Sequence, residues 1–406
     1  MSLKRKGTWL ATWVLVGWLV GVPAVAQGLR DAQIFAPAEP AHYGGGVRAN
    51  EGFFFTYEGL YWTISAPERT TFGIDTDTLT NVDNVWWAND ANQTSTQGST
   101  MNTSFLSSEF TPGQRIELGH INGHEGWLFS YFQLHWSGQG QILPGVEAYF
   151  QDEEWGVNDL GHLDIQTGAG GTPVRAPVYF DNVIIDNFSR AWGTEFNFML
   201  RTHPRQRGGM WEWYFGARYL EFDEEFIVHA NGDPPDGSNS AVNSVLADTV
   251  FTNYAANRLF GPQLGLRWFK TNDRWELSLQ GKFMAAWNAQ TVRLNGVVAS
   301  DVTPAIVTFP RTNFEPLALT STNVDDVAHM SVFSPVVELR IEGKYLLTNR
   351  VAFTAGWNGM YIGELARPSR MVDYTLYKTH VLGILRNMNR DLCFLQGVAV
   401  GIEINR

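Results

Sequence analysis

Nine histidines and one cysteine are the residues of this 406-residue chain best suited to metal or nucleophilic chemistry, and their spacing selects little. His120 and His124 flank Asn122-Gly123 beside Glu125, side-chain types able to ligate a divalent metal, although a short polar turn accounts for them equally well. His135 and His229, with Asp223 and Glu224 near the second, are the parts from which an acid–histidine hydrolytic site would be assembled. The acidic clusters Asp152-Glu153-Glu154, Asp223-Glu224-Glu225 and Asp325-Asp326 lack the spacing and glycine of a calcium loop and read as solvated loop charge. There is no Gly-x-Ser-x-Gly elbow, His-Glu-x-x-His or phosphate loop. Cys393 has no second cysteine to pair with and reads as a small packing residue. The expectation is a chain with no catalytic residues, no metal ligands and no cofactor.

A larger set of charges recurs at alternate positions. Arg115, Arg201, Arg218, Arg267, Lys282, Arg340 and Lys344 share a parity with Glu117, Glu195, Glu212, Glu276, Glu338, Glu342 and Glu403, while the other parity is apolar. Val337, Leu339, Ile341, Gly343, Tyr345 and Leu347 alternate with Glu338, Arg340, Glu342, Lys344 and Leu346. A period of two over this length makes a half-buried strand and cannot make an amphipathic helix. The same alternation marks Trp275 to Asn288, Trp192 to Arg201, Trp211 to Tyr219, Gln263 to Trp268 and Val398 to Asn405. Noisier runs lie at Phe53 to Ile64, Arg115 to Ile121, Trp127 to Trp136 and Val351 to Ile362, giving ten strands.

The connections set the topology. Asn122–Glu125, His203–Gly209, Thr271–Arg274 and Thr348–Arg350 are tight and rich in turn-formers, whereas 67–110, 137–186, 230–250, 296–330 and 366–392 are long. Short and long alternate throughout, as periplasmic turns and extracellular loops do in a transmembrane β-barrel. Within the last long connection, Val372 to Met388 has near-helical spacing and is expected to hold a short helix. The fold class is therefore all-β: a closed antiparallel transmembrane barrel of about ten strands. Hydrocarbon leaves no other β solution, because each backbone polar group needs a protein partner and an open sheet has edges.

Composition agrees. The chain is 14% aromatic but only 17% charged, with a mean hydropathy of −0.17, which suits a lipid-facing surface averaged with a charged lumen and polar loops. Lys4, Arg5 and Lys6, the apolar run Thr8 to Val22, and Ala24-Val25-Ala26 before Gln27 have the three parts of an export signal, with Ala24, Ala26 and Gln27 at the cleavage site. Its removal takes three basic and no acidic residues from the 29 and 41 present, changing the net charge from −12 to −15. An acidic exported chain excludes a nucleic-acid partner. The organisation is a signal peptide over 1–26, a flexible periplasmic lead-in over 27–50, and a barrel over 51–406. Trp192, Trp211, Trp213, Trp268, Trp275, Trp287, Tyr345 and Trp357 are expected to face lipid, and seven charges of each sign to pair inside a neutral, plugged or narrow lumen. A pore of that width would pass only ions or small solutes. The alternative is a soluble exported β-sandwich or adhesion module binding polysaccharide.

Three stretches carry a resemblance. Gly356-Trp357-Asn358-Gly359-Met360-Tyr361-Ile362-Gly363-Glu364-Leu365-Ala366-Arg367-Pro368 resembles the penultimate strand and Arg-Pro loop of the beta-barrel porin families of bacterial outer membranes. Phe394 to Asn405 is similar to their terminal strand, and Phe53 to Trp62 to their opening strand. The resemblance covers about a quarter of the chain and implies a bacterial outer-membrane location, with membrane lipid and the barrel-insertion machinery as partners. It implies no catalytic residue. The chain ends in Arg406, where such barrels often end in an aromatic residue read by that machinery. Ten-stranded outer-membrane proteases form a third reading, resting on the His135, His229, Asp223 and Glu224 set.

Overall fold

The structure is a computed structural model that describes residues 52–70, 72, 85–89, 99–100, 102–150, 162–165, 174–202, 209–231, 249–298, 305–307, 317–319, 322–348, 350–377, 380–385 and 390–406. The expected signal and lead-in lie outside the described residues, as does Asp152-Glu153-Glu154.

The alternating segments form ten antiparallel barrel strands: β1 (Gly52–Ile64), β2 (Glu109–Asn122), β3 (Glu125–Leu134), β4 (Val174–Arg201), β5 (Met210–Asn231), β6 (Thr249–Asn272), β7 (Trp275–Val298), β8 (Thr322–Leu346), β9 (Val351–Leu365) and β10 (Asp391–Asn405). Each pairs with its neighbour in this order, and β1 closes on β10 with Phe54 opposite Asn405 and Ile64 opposite Leu395. The circle overturns the sandwich alternative, because two stacked sheets would leave edges that this order does not contain. The turns match their chemistry. Gly123 supplies φ 61° between β2 and β3, and Asp273 takes φ 52° between β6 and β7, a left-handed conformation that aspartate tolerates.

Strand lengths divide the barrel. β4 to β8 run 22 to 28 residues, whereas β1 to β3, β9 and β10 run 10 to 15. The tall side extends past the rim as a curved sheet, joined by Ser137–Phe150, which continues beyond β3 and pairs with upper β4 at Gln141 opposite Ile185. Sequence alternation ends lower because polar residues take over the outward parity there. Asp223-Glu224-Glu225 accordingly lies within β5 and Asp325-Asp326 within β8, not in loops, which corrects that expectation for both clusters.

The helix expected over Val372 to Met388 is also corrected. One helical turn, Pro368–Met371, leads into an antiparallel hairpin of Val372–Tyr377 and His380–Ile384. Val372, Tyr374 and Leu376 alternate with Asp373, Thr375 and Tyr377, so β-branched and aromatic residues at period two prevail over the looser helical spacing. Met371, Val372 and Ile384 are buried, as are Ile185, Val228, Phe251 and Leu294 on the inner face of the tall wall, and Phe72 stacks on Phe226 with ring centroids 6.2 Å apart.

Candidate functional site: the barrel interior

The inward side chains form tiers, and most strands change character at the same height. The lowest is ionic. Arg201 bonds Glu212 through Nε at 2.9 Å; Glu212 also meets Arg267 at 3.4 Å, and Arg267 meets Glu276 at 3.1 Å. Lys344 continues the chain, bonding Glu403 and lying 3.9 Å from Glu276 and 3.8 Å from Glu342. Arg340 bonds Glu342, and reaches Glu58 and Glu117 at 2.7 Å each. Arg115 lies 3.5 Å from both Glu58 and Glu338; Arg218 bonds Glu338 at 2.6 Å and approaches Glu195 at 3.9 Å, and Lys282 bonds Glu195. These fourteen side chains are joined into one network. Glu58 is a fifteenth, absent from the expected set although it shares the inward parity of Phe54, Thr56, Leu60 and Trp62. Seven basic side chains therefore share eight carboxyl groups.

Buried charges this numerous are tolerated because each has at least one partner of opposite sign; a lone one would cost several kcal/mol. Neutral side chains extend the coverage: Asn358 Oδ1 accepts from Arg115 at 3.0 Å, Gln263 donates to Glu195 at 2.8 Å and Tyr214 to Glu212 at 2.8 Å. Two cavities lie between these side chains, one of about 30 Å³ among Glu117, Arg267, Arg340 and Lys344 and one of about 10 Å³ among Arg115, Glu195 and Lys282. At roughly 10 to 15 Å³ per enclosed water, these hold a few water molecules.

Above the charges lies an apolar tier. Leu60, Trp62, Phe132, Leu134, Ala191, Leu220, Phe222, Leu259, Met284, Ala286, Val336, Met360, Ile362 and Leu395 form one buried cluster spanning the barrel. Arg115 packs over the Trp62 ring at 5.1 Å and Arg218 over Phe132 at 5.6 Å, so cation–π contacts join the two tiers. The sequence reading missed this tier, because its residues occupy a parity assigned as polar from the lower half of each strand.

A third tier is polar but uncharged apart from one pair. Asn253 and Asn257 on β6, Asn288 and Gln290 on β7, and Ser334 on β8 are buried. They hold the backbone that leaves β9: Asn257 Oδ1 accepts from Ala366 N at 2.8 Å, its Nδ2 donates to Ala366 O at 2.9 Å, Gln290 donates to Glu364 O at 2.7 Å, and Asn253 donates to Pro368 O. Glu364 has φ 56°, the turn that sends the chain inward. Arg367 enters the same tier and binds Glu224 of β5 with two bonds of 2.8 and 2.7 Å. Burial works to lower the Arg367 pKa, but the Glu224 carboxylate outweighs it and holds the guanidinium above its ordinary value.

On the other parity lie large aromatic side chains. Trp213, Trp275 and Trp287 are exposed at 42%, 62% and 63%, and Trp192, Trp211, Trp268, Tyr345 and Trp357 are half-buried among neighbours. Trp275 meets Tyr345 at 4.8 Å and Trp192 meets Tyr219 at 5.3 Å. Higher up, the outward face is polar: Arg190 bonds Asp223 at 2.8 Å, and Arg258 lies 3.7 Å from Glu221.

The histidine-based candidates do not assemble. His120 points outward against the Phe53 ring at 4.4 Å, while His124 Nδ1 lies 3.0 Å from Arg201 O. Asp223 and Glu224 are neighbours on a strand and so face opposite sides, one paired with Arg190 outside and the other with Arg367 inside. Among the described residues no group of three His, Cys, Asp or Glu side chains could hold a metal ion.

A closed ten-stranded antiparallel barrel with an apolar exterior and a charged interior belongs to the porin-like class of outer-membrane barrels. More narrowly, the family described as Putative beta barrel porin-7 (BBP7) matches residues 181–405, more than half of the 406, and the chain belongs to it. No curated protein matches. Among solved structures the chain is similar to a Pseudomonas aeruginosa FadL homologue, at 11% identity over 90% of this chain and 94% of that one with a TM-score of 0.24. It is similar also to a mutant TodX monoaromatic hydrocarbon channel, at 9% identity over 91% and 95% with a TM-score of 0.23. The Ralstonia pickettii toluene transporter TbuX follows at 10% identity over 90% and 94%, with a TM-score of 0.18. Likeness at these scores carries no weight for fold or cargo.

Proposed function

We propose that the chain is exported by its first 26 residues, is inserted into a bacterial outer membrane by the barrel-insertion machinery, and serves there as a closed, non-catalytic barrel that displays its tall sheet and long loops outside. The observation that carries this reading is the apolar tier, a layer of buried side chains from strands all round the barrel, stacked on the ionic tier. Ions would have to shed their hydration to cross it, so the barrel's role is structural and surface-presenting. The outward face supports immersion in lipid. Trp275 and Trp287 bound β7's apolar stretch Leu277, Leu279, Gly281, Phe283 and Ala285, and twelve residues at roughly 3.4 Å each, tilted by about 40°, rise about 30 Å, close to a hydrocarbon core. The outward-facing aromatics are the lipid contacts in this reading, and the fourteen charges fill the lumen.

Planar-bilayer recording of the full chain tests the closed state. The expected result is an unbroken baseline from protein that shows heat-modifiable migration on a detergent gel and partitions with membranes. Porin-sized conductance steps would overturn the closed reading, and release by osmotic shock would overturn the membrane location.

A further inference from the structure

The third tier is built around a guanidinium that the chain itself supplies. Arg367 is 1% exposed and Glu224 is fully buried. Glu224 accepts both bonds from one side of the guanidinium, Ser65 O accepts from Nη1 at 2.9 Å, and the Phe222 ring lies 5.5 Å from Cζ. A carboxylate, a carbonyl and an aromatic face are the three groups that recognise a planar cation. The surroundings have acceptors to spare. Asn187 donates to Glu224 at 3.0 Å, and Asn253, Asn288 and Gln290 donate to the cap backbone, yet Asn187 Oδ1, Asn253 Oδ1, Asn288 Oδ1 and Gln290 Oε1 have no hydrogen-bond partner. The tier beneath fills the same bore with apolar side chains, so filling alone does not require these amides. The segment that fills it is held mainly by polar bonds and ends on a single helical turn. Its removal would leave a vestibule with one carboxylate, amide acceptors and an apolar floor of Phe222, Met360 and Leu365.

We propose that this vestibule is a binding site for a small amphiphilic organic cation, guanidinium or alkylammonium, and that Arg367 is the resident ligand such a solute displaces. The site ends at the apolar tier, so occupancy shifts the 366–371 segment without making a pore. The proposal rests on the barrel reading but not on conductance.

The test uses the full chain in detergent and butylguanidinium, with the neutral isostere butylurea as control. Arg367→Ala should bind butylguanidinium about tenfold tighter than the unaltered chain by calorimetry, because no internal cation competes. The double variant Arg367→Ala/Glu224→Gln should lose that binding, and butylurea should bind neither. Absence of saturable binding in a heat-modifiable Arg367→Ala barrel, or equal binding in the double variant, would overturn the site. Heat-modifiable migration reports the barrel separately, so the two readings fail distinguishably. Should Arg367→Ala not fold, the unaltered chain decides. Butylguanidinium should accelerate tryptic cleavage after Arg370, next to buried Met371, more than butylurea does, and equal rates with the two compounds would refute displacement.

Discussion

The ionic and apolar tiers fill the same barrel by opposite means. In the lower one, fifteen charged side chains share partners, and each carboxylate or cation is stabilised by the network around it. In the upper one, Leu220, Phe222 and their neighbours contribute by burial alone, at about 1.5 to 3 kcal/mol for each large side chain. Burial is forgiving of which neighbour supplies the contact, whereas pairing is not. The lower tier should therefore be sensitive to charge identity and the upper to volume.

The sharpest way to break this contrast is Arg340→Met, which keeps much of the volume but leaves Glu58, Glu117 and Glu342 facing one another. The expected loss is about 4 kcal/mol, read from the urea midpoint of the detergent-solubilised barrel. A loss below about 1 kcal/mol would mean that the network does not behave as a unit. Next comes Leu220→Ala in the apolar tier, with an expected cost of about 3 kcal/mol in the same assay and still no bilayer conductance, because one cavity does not connect the tiers. Conductance after this single truncation would show that the tier is thinner than its packing implies. The smallest effect belongs to Glu58→Gln. It removes the surplus acid while Arg340 keeps Glu117 and Glu342 and Arg115 keeps Glu338, so stability should change by less than about 1 kcal/mol. A large loss would show that Glu58, and not Glu117, is the principal partner of Arg340.

Much of the barrel was legible in the chain. Period-two alternation located all ten strands, and the Asn122-Gly123 and Asn272-Asp273 turns fixed which ends are tight. The expectation of fourteen inward charges rests on the same parity. Glu58 escaped because β1 carries aromatics on both parities (Phe53, Phe54, Phe55 and Tyr57), which blurs its alternation. The upper halves of β4 to β8 escaped because outward Arg190, Glu221, Asp223 and Arg258 replace the apolar residues that mark a lipid-facing strand. Above the rim both faces of the sheet are covered differently, the inner by protein and the outer by water. The Arg-Pro segment was legible as a feature, but its inward course depends on Glu364, Asn257 and Glu224, which lie on three separate strands.

By itself the sequence determined the closed antiparallel class and the facing of most side chains, since both follow from a local rule: in a strand, neighbours point to opposite sides. Only the tertiary structure decided which charges meet and which buried tiers they lie against. Those depend on register and barrel stagger, which bring Arg340 of β8 to Glu58 of β1 across 282 positions and seat Arg367 on Glu224 across 143, distances in the chain over which no periodicity carries information.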